Sequence, residues 1–208
     1  MPRRTKLETD LTRRKILDVA LDVFAERGYS RTSLQEIADR AGFTRGAVYW
    51  HFKNKADLLA ALEEHVEGGS DDGFGDPDRL QSRQELRETL CQYLARLETD
   101  ERFGAYCRVI EYRTEWHDEL EPLLESYRRD LRDLAQWLVQ ALRRLAALGE
   151  IDPALDPEKE GLALYVHVMG LYTIWMTDPD FLSMVRDAPG YLDRFLARLA
   201  PGGSRLAD

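Results

Sequence analysis

Residues 32–55 constrain the fold of this chain more than any other stretch, because they predict two short helices separated by a tight turn. Ser33 lies three residues before Glu36, and this spacing forms a capping box at the start of a helix. Apolar residues then recur at intervals of three and four, as in a helix buried on one side: Leu34, Ile37, Ala38 and Ala41. Gly42 occupies the position where a left-handed residue ends a helix.

The second short helix is predicted to begin directly after this turn. Thr44 is an N-cap candidate, and Val48 and Phe52 lie four residues apart, which places both on the inner face of the helix. Arg45 and Tyr49 are therefore expected together on the outer face. Two short helices joined in this way form a helix-turn-helix, in which the second helix enters the major groove of double-stranded DNA.

The outer face of this second helix and its flanks carry the candidate DNA-binding residues. We expect Arg45 to bind a guanine edge through two hydrogen bonds, and its aromatic and basic neighbours to contact phosphates and sugars. Gly46 costs about 1 kcal/mol relative to alanine in an exposed helix, which indicates that the backbone approaches another surface closely. The candidate residues are Thr32, Ser33, Thr44, Arg45, Gly46, Tyr49, Trp50, His51, Lys53 and Lys55. Alternatively, the lysines are solvated surface charge and Tyr49 and Trp50 cover a small core.

The net charge of −9 is unusual for a DNA-binding protein until it is divided along the chain. Residues 1–60 carry 12 Lys and Arg against 8 Asp and Glu, whereas residues 61–208 carry 17 against 30. A cationic N-terminal module is thus attached to an acidic body. The two cysteines, Cys91 and Cys107, have no C-x-x-C spacing, and no apolar signal segment is present, so a cytoplasmic location is expected.

The remainder of the chain predicts further helices, and the fold class is all-α with about nine helices. The first helix is predicted from Leu11 to Arg27, and the fourth runs from Lys55 to about Glu67 with Asn54 as its cap. Ser82 and Glu85 form a capping box that opens the fifth helix, and the sixth runs from about Glu101 to Thr114. The seventh extends from Pro122 to its stop at Gly149, the eighth begins after Asp156, and the ninth ends at about Leu199. Residues 68–81 are predicted to be a loop.

The eighth helix is predicted to be apolar on two sides, which indicates two packing partners. One side carries Leu164, Val168, Leu171 and Trp175, and the other carries Tyr165, Met169, Tyr172 and Met176. The helix is too short and too acidic at its start to cross a membrane. We therefore expect its second side to pack against another subunit. The alternative is that both sides belong to the core of one chain.

Two stretches resemble TetR/AcrR-type transcriptional regulators: I-L-D-V-A-L-D-V-F-A-E-R-G-Y-S-R-T-S at residues 16–33 and F-T-R-G-A-V-Y-W-H-F-K-N-K at residues 43–55. The resemblance implies a DNA-binding domain at residues 1–67, containing a three-helix helix-turn-helix module and a linking fourth helix. It implies a ligand-binding and dimerisation domain at residues 68–208. It also implies a homodimer through helices eight and nine that binds a pseudo-palindromic operator.

Two shorter segments look like the branch of this family that represses multidrug-efflux genes: K-N-K-A-D-L at residues 53–58 and G-L-Y-T-I-W-M-T-D-P at residues 170–179. This likeness implies a repressor released by lipophilic, often cationic, compounds. A metabolic regulator that senses a fatty acyl or aromatic metabolite is the alternative within the family. A helical enzyme or scaffold is the alternative outside it.

The predicted body contains aromatic, sulfur and acidic side chains suited to a small hydrophobic effector, and especially to a lipophilic cation. The candidate effector-binding residues are Phe103, Tyr106, Cys107, Glu111, Trp116, Trp137, His167, Met169 and Tyr172. No pair of histidines has a metal-binding spacing, no E-x-x-H motif occurs, and no glycine-rich loop suits a phosphate. The sequence therefore predicts no enzyme activity, no metal and no cofactor.

Overall fold

A computed structural model describes residues 6–67 and 74–202, and within these ranges the chain forms nine α-helices and no strand. The helices are α1 Lys6–Arg27, α2 Leu34–Ala41, α3 Arg45–His51, α4 Lys55–Glu67, α5 Arg83–Thr99, α6 Glu101–Tyr112, α7 Glu121–Ala147, α8 Pro157–Thr177 and α9 Ala188–Ala197. Short 3-10 turns lie at Pro77–Arg79 and Asp118–Leu120. The predicted all-α fold is confirmed. Residues 68–73 of the predicted loop lie outside the described residues.

The caps predicted from the sequence form at both short helices. The Ser33 hydroxyl accepts a hydrogen bond from the Glu36 amide at 3.2 Å, and the Thr44 hydroxyl accepts one from the Ala47 amide at 3.2 Å. Gly42 has a φ of 75°, a left-handed conformation that glycine adopts without steric cost. Local chemistry therefore fixes where α2 ends and α3 begins.

The first compact unit comprises α1–α4 together with residues 100–125, which include α6. Helix α1 packs against α2, α4 and α6, and α4 also packs against α6. Asp18 on α1 joins these helices, because it accepts a hydrogen bond from His65 of α4 at 2.7 Å and pairs with Arg102 of α6. The unit that contains the helix-turn-helix is thus larger than the DNA-binding segment predicted at residues 1–67.

The second compact unit contains α5, most of α7, α8 and α9 within residues 74–99 and 126–202. Leu86, Leu90 and Leu94 of α5 are fully buried, and α5 packs against α9. Helix α8 passes so close to α7 that a Cβ atom built on Gly161 would lie 2.7 Å from Val139 Cα. Only glycine fits at this crossing.

Helix α8 exposes a different side from the one predicted to meet a second subunit. Met176 is buried, and Tyr165, Met169 and Tyr172 are half-buried; each of the four follows a buried core residue by one position. The exposed apolar side chains are Leu162, Val166 and Ile174, with exposures of 51%, 68% and 43%. The expectation for Met176 is therefore corrected, because Met176 is buried within its own chain, whereas contact of Tyr165, Met169 and Tyr172 with a second subunit stays a prediction.

Among the described residues, none of the helices combines the length and the apolar character needed to cross a membrane.

Candidate DNA interface and effector residues

The outer surface of α3 differs sharply from its inner surface. Val48 and Phe52 are buried to 0% and 2% exposure, and they hold α3 against the rest of the first unit. Trp50 is 71% exposed and Tyr49 is 44% exposed. Arg45 is also exposed. Aromatic and basic side chains therefore project from a helix whose other side is fixed in a core.

Arg45 and Tyr49 form a pair on this surface. The Arg45 guanidinium lies 5.0 Å from the centre of the Tyr49 ring, and its Nη2 atom donates a hydrogen bond to the Tyr49 hydroxyl at 3.1 Å. Stacking and hydrogen bonding limit the orientations of a long, exposed side chain. Arg45 is thereby held projecting from α3 in a form suited to a bidentate contact with guanine.

Gly46 and Trp50 complete the exposed surface. A Cβ atom built on Gly46 would meet only the Thr44 hydroxyl, at 4.0 Å, so nothing within the described chain requires glycine there. The Trp50 ring packs edge-on against His51, with 4.7 Å between ring centres. The exposed Trp50 ring therefore lies one helical turn from a stretch of backbone that no side chain covers.

The three hydroxyl-bearing candidates have structural roles in the chain. Thr32 is only 4% exposed, and its hydroxyl donates to the Gly28 carbonyl at 2.8 Å. The hydroxyls of Ser33 and Thr44 are exposed but cap α2 and α3. These residues therefore shape the turn and helix ends that present Arg45.

The two candidate lysines have different environments. The Lys53 side chain is exposed. The Lys55 ammonium group donates to the carbonyls of Tyr29, Thr32 and Ser30 at 2.7, 2.9 and 3.4 Å. An ammonium group has three N–H donors, so each donor of Lys55 already has an acceptor. Burial lowers the pKa of Lys55, and the charge of Glu119 opposes this change. Lys55 is thus placed to hold the fold, whereas Lys53 is exposed to solvent.

The candidate effector residues are divided between the two compact units. In the first unit, Phe103 and Tyr106 of α6 are buried, and Cys107, Glu111 and Trp116 are half-buried. The second unit contains Trp137 on α7 and His167, Met169 and Tyr172 on α8, all half-buried. Burial lowers the pKa of His167, whose ring packs against Phe195 with 5.2 Å between centres.

Trp137 belongs to an aromatic cluster that the sequence did not indicate. Its indole N–H donates to the Gly75 carbonyl at 2.8 Å, and the Phe74 ring lies 5.0 Å from Trp137 and 4.5 Å from Tyr93. Beside this cluster is an open cavity of about 350 Å³, lined by Phe74, Arg79, Leu80, Glu85 and Glu88 among others. None of the candidate effector residues lines it. Phe74, an aromatic residue in a loop rich in glycine and aspartate, was the available signal for this cluster.

Within the described ranges, no three His, Cys, Asp or Glu side chains are grouped so that they could hold a metal ion.

These features define the class of the protein. A tight turn between two capped helices, with an exposed arginine, tyrosine and tryptophan on the second, is the arrangement of a helix-turn-helix DNA-binding protein. Residues 16–62 match the family described as bacterial regulatory proteins, tetR family. The regulator TtgR of Pseudomonas putida is 31% identical over 210 residues, which cover 97% of this chain and 98% of TtgR. The chain belongs to the TetR family of transcriptional regulators, which confirms the resemblance in residues 16–33 and 43–55.

Two solved structures are similar over most of this chain. NalD of Pseudomonas aeruginosa, the secondary repressor of the MexAB-OprM multidrug efflux pump, has a TM-score of 0.80 and 28% identity, covering 94% of this chain and 98% of NalD. SmeT, the repressor of the Stenotrophomonas maltophilia multidrug efflux pump SmeDEF, has been solved as a triclosan complex. That complex has a TM-score of 0.79 and 31% identity, covering 95% of this chain and 100% of SmeT.

Proposed function

We propose that this protein represses a multidrug-efflux operon and is released from its operator by a small hydrophobic, often cationic, effector. The main observation in support of DNA binding is that Arg45, Tyr49 and Trp50 are exposed together on a helix whose inner face is buried. The similarity to NalD and SmeT, both described as repressors of efflux pumps, supports the choice of target genes. DNA binding belongs to residues 1–67, and effector binding and dimerisation belong to residues 68–208.

The exposed side of α8 supports the proposal of a homodimer that reads a pseudo-palindromic operator. Leu162, Val166 and Ile174 leave an apolar surface on one helix of the second unit, and Tyr191 of α9 is 42% exposed. A Cβ atom built on Gly170 would meet nothing within 4 Å, so a helix of a second copy can approach α8 closely there. A symmetric dimer presents two recognition helices to two half-sites.

The effector acts through a coupling free energy between its own site and the operator. It must bind the DNA-free conformation more tightly than the DNA-bound one, since only this difference in affinity shifts the equilibrium. The aromatic and acidic residues of α6–α8 supply the chemistry for a lipophilic compound, and triclosan bound to SmeT is an example in a relative.

The test is fluorescence anisotropy with labelled DNA from the region upstream of the protein's own gene and a scrambled sequence of equal length as control. We expect tight binding to the upstream DNA only, and release on addition of triclosan or of tetraphenylphosphonium, a lipophilic cation that does not intercalate into DNA. Operator binding that withstands both compounds would overturn efflux repression and favour a regulator that senses a fatty acyl or aromatic metabolite. Equal affinity for both DNA molecules would contradict operator recognition itself.

A further inference from the structure

The segment that follows α6, residues 113–119, docks on the turn between α1 and α2. The Arg113 carbonyl accepts a hydrogen bond from the Tyr29 amide at 2.7 Å. The Glu115 carboxylate accepts one from the Ser30 hydroxyl at 2.8 Å. The His117 ring lies 6.1 Å from the Tyr29 ring, measured between centres. Alternate residues of the segment therefore contact two consecutive residues of the turn.

The turn accepts this segment because Gly28 begins it. Gly28 has a φ of +84°, and a Cβ atom at this position would lie 3.4 Å from the Arg113 carbonyl oxygen. The positive φ favours glycine, and the Arg113 carbonyl lies at van der Waals contact distance from the position of that Cβ atom. The glycine that follows α1 therefore allows residues 113–119 to dock on this turn.

Lys55, the first residue of α4, holds the same turn through its backbone carbonyls. Its ammonium group bonds to the carbonyls of Tyr29 and Thr32 at 2.7 and 2.9 Å and lies 4.1 Å from the centre of the Tyr29 ring. Because Thr32 precedes the cap of α2, this contact joins the start of α4 to the start of the helix-turn-helix. The turn is held by Lys55 of α4 and by Arg113, Glu115 and His117 together.

The charge of Glu119 acts on both Tyr29 and Lys55. Burial, and then the charge of Glu119, raises the pKa of Tyr29 to about 12. Burial lowers the pKa of Lys55, and Glu119 offsets part of that effect. A carboxylate at the end of the docked segment therefore favours the charged form of the lysine that secures the turn.

We propose that Arg113, Glu115 and His117 form, with Tyr29, Ser30 and Lys55, a clasp that positions the helix-turn-helix for operator binding. In this arrangement Glu115 is a positioning residue, although it lies far along the chain from the recognition helix. The proposal rests on the proposed function, since operator affinity is its main consequence. It also gives a defined connection from α6, which carries four candidate effector residues, to the start of α2.

Removal of the Glu115 charge changes DNA affinity in opposite directions for a positioning residue and for an ordinary surface charge. Removing a carboxylate from an acidic protein reduces its repulsion of DNA, so a plain surface charge leaves DNA affinity unchanged or increases it. Loss of a positioning contact instead weakens operator binding, by about 2- to 30-fold for a typical coupled residue. The dependence of affinity on salt stays unchanged, because no phosphate contact is lost.

The experiment compares Glu115→Ala with Asp118→Ala, since both residues are exposed, lie three positions apart and lose the same charge. We expect Glu115→Ala to weaken operator binding about 2- to 30-fold with an unchanged salt slope, and Asp118→Ala not to weaken it. The neutral variant Ser30→Ala should reproduce the loss, and the double variant Ser30→Ala with Glu115→Ala should lose no more than either single variant. Equal affinities for the Glu115 and Asp118 variants would overturn the clasp.

Hydrogen exchange gives a readout that does not depend on DNA. The Tyr29 amide donates to Arg113, so its exchange should accelerate in Glu115→Ala but not in Asp118→Ala, while α5 amides remain unchanged in both. This pattern also shows that the variant is folded. If the wild-type protein binds no specific DNA, the proposed function fails. The Tyr29 exchange rate still tests whether the clasp forms, and equal rates in both variants would refute it.

Discussion

Helices α3 and α8 each expose side chains that their own compact unit leaves uncovered, but the chemistry of the two surfaces is different. On α3 the exposed residues are an arginine, a tyrosine and a tryptophan, which can bind bases, sugars and phosphates. On α8 they are Leu162, Val166 and Ile174, which offer no polar group and suit another protein surface. The kind of residue exposed, rather than exposure itself, indicates the partner.

Glycines strengthen this comparison. Gly161 is explained inside the second unit, because a Cβ atom there would collide with the Val139 backbone. Gly46 on α3 and Gly170 on α8 have no such neighbour, although glycine costs each helix about 1 kcal/mol relative to alanine. Both surfaces thus carry a glycine that no neighbour among the described residues requires.

The largest expected effect follows from placing a charge on the exposed side of α8. Val166→Glu buries an unpaired carboxylate if this side meets a second copy, so the dimer should dissociate. A monomer binds one half-site, and operator affinity should fall by about 10²- to 10⁴-fold as the linkage between two half-sites is lost. Sedimentation velocity gives the oligomeric state, and anisotropy gives the affinity.

The control for Val166→Glu is Gln92→Glu, which adds the same charge at an exposed position on α5. It should leave the dimer intact. A dimeric Val166→Glu variant with normal operator affinity would show that the aliphatic surface of α8 has no role in assembly, and the contrast between the partners of α3 and α8 would then fail.

The second expected effect concerns the polar surface of α3. Arg45→Ala should weaken specific operator binding by about 1–3 kcal/mol and relax the base preference at one position of each half-site. Arg79→Ala removes the same charge from an exposed site in the second unit and serves as the control. Binding to a panel of operators with single base changes measures both effects. Unchanged affinity for Arg45→Ala would exclude it as the base-reading residue.

The sequence predicted the α3 surface well and the α8 surface poorly, for physical reasons. Caps, turn glycines and inner apolar positions are local, so Ser33, Gly42 and Thr44 could be assigned their roles from spacing alone. Around α8, several positions are half-buried, and their exposure depends on neighbouring helices rather than on periodicity. Apolar residues at successive positions therefore could not be sorted into core and surface.

Contacts between residues far apart in the chain also could not be predicted from the sequence. Lys55 was predicted to bind phosphate because it begins a helix near the DNA-binding surface, but its ammonium group bonds to carbonyls 23 to 26 residues away. The docking of residues 113–119 on Tyr29 and Ser30 involves still larger separations. No local pattern signals a lysine that binds backbone carbonyls.

A smaller effect is expected at the two glycines, where stability and binding should change in opposite directions. Gly46→Ala should stabilise the folded chain by up to about 1 kcal/mol, because its Cβ atom has room, yet weaken operator binding through contact with DNA. Gly170→Ala should gain similar stability while weakening the dimer. Thermal unfolding, anisotropy and sedimentation measure the three quantities. A stabilised Gly46→Ala variant with normal operator affinity would show that the α3 backbone does not approach DNA closely at this position.

The smallest expected effect compares Lys53 with Lys55. Lys53→Ala should weaken binding to all DNA sequences and reduce the slope of log affinity against log salt by about 0.9, the value for one lost phosphate contact. Lys55→Met keeps a similar volume but breaks the bonds to Tyr29 and Thr32. It should therefore lower the free energy of unfolding and weaken operator binding while the salt slope stays the same. Titrations at several salt concentrations distinguish the two results, and a lower slope for Lys55→Met would mean that Lys55 leaves its carbonyls to bind phosphate when DNA is present.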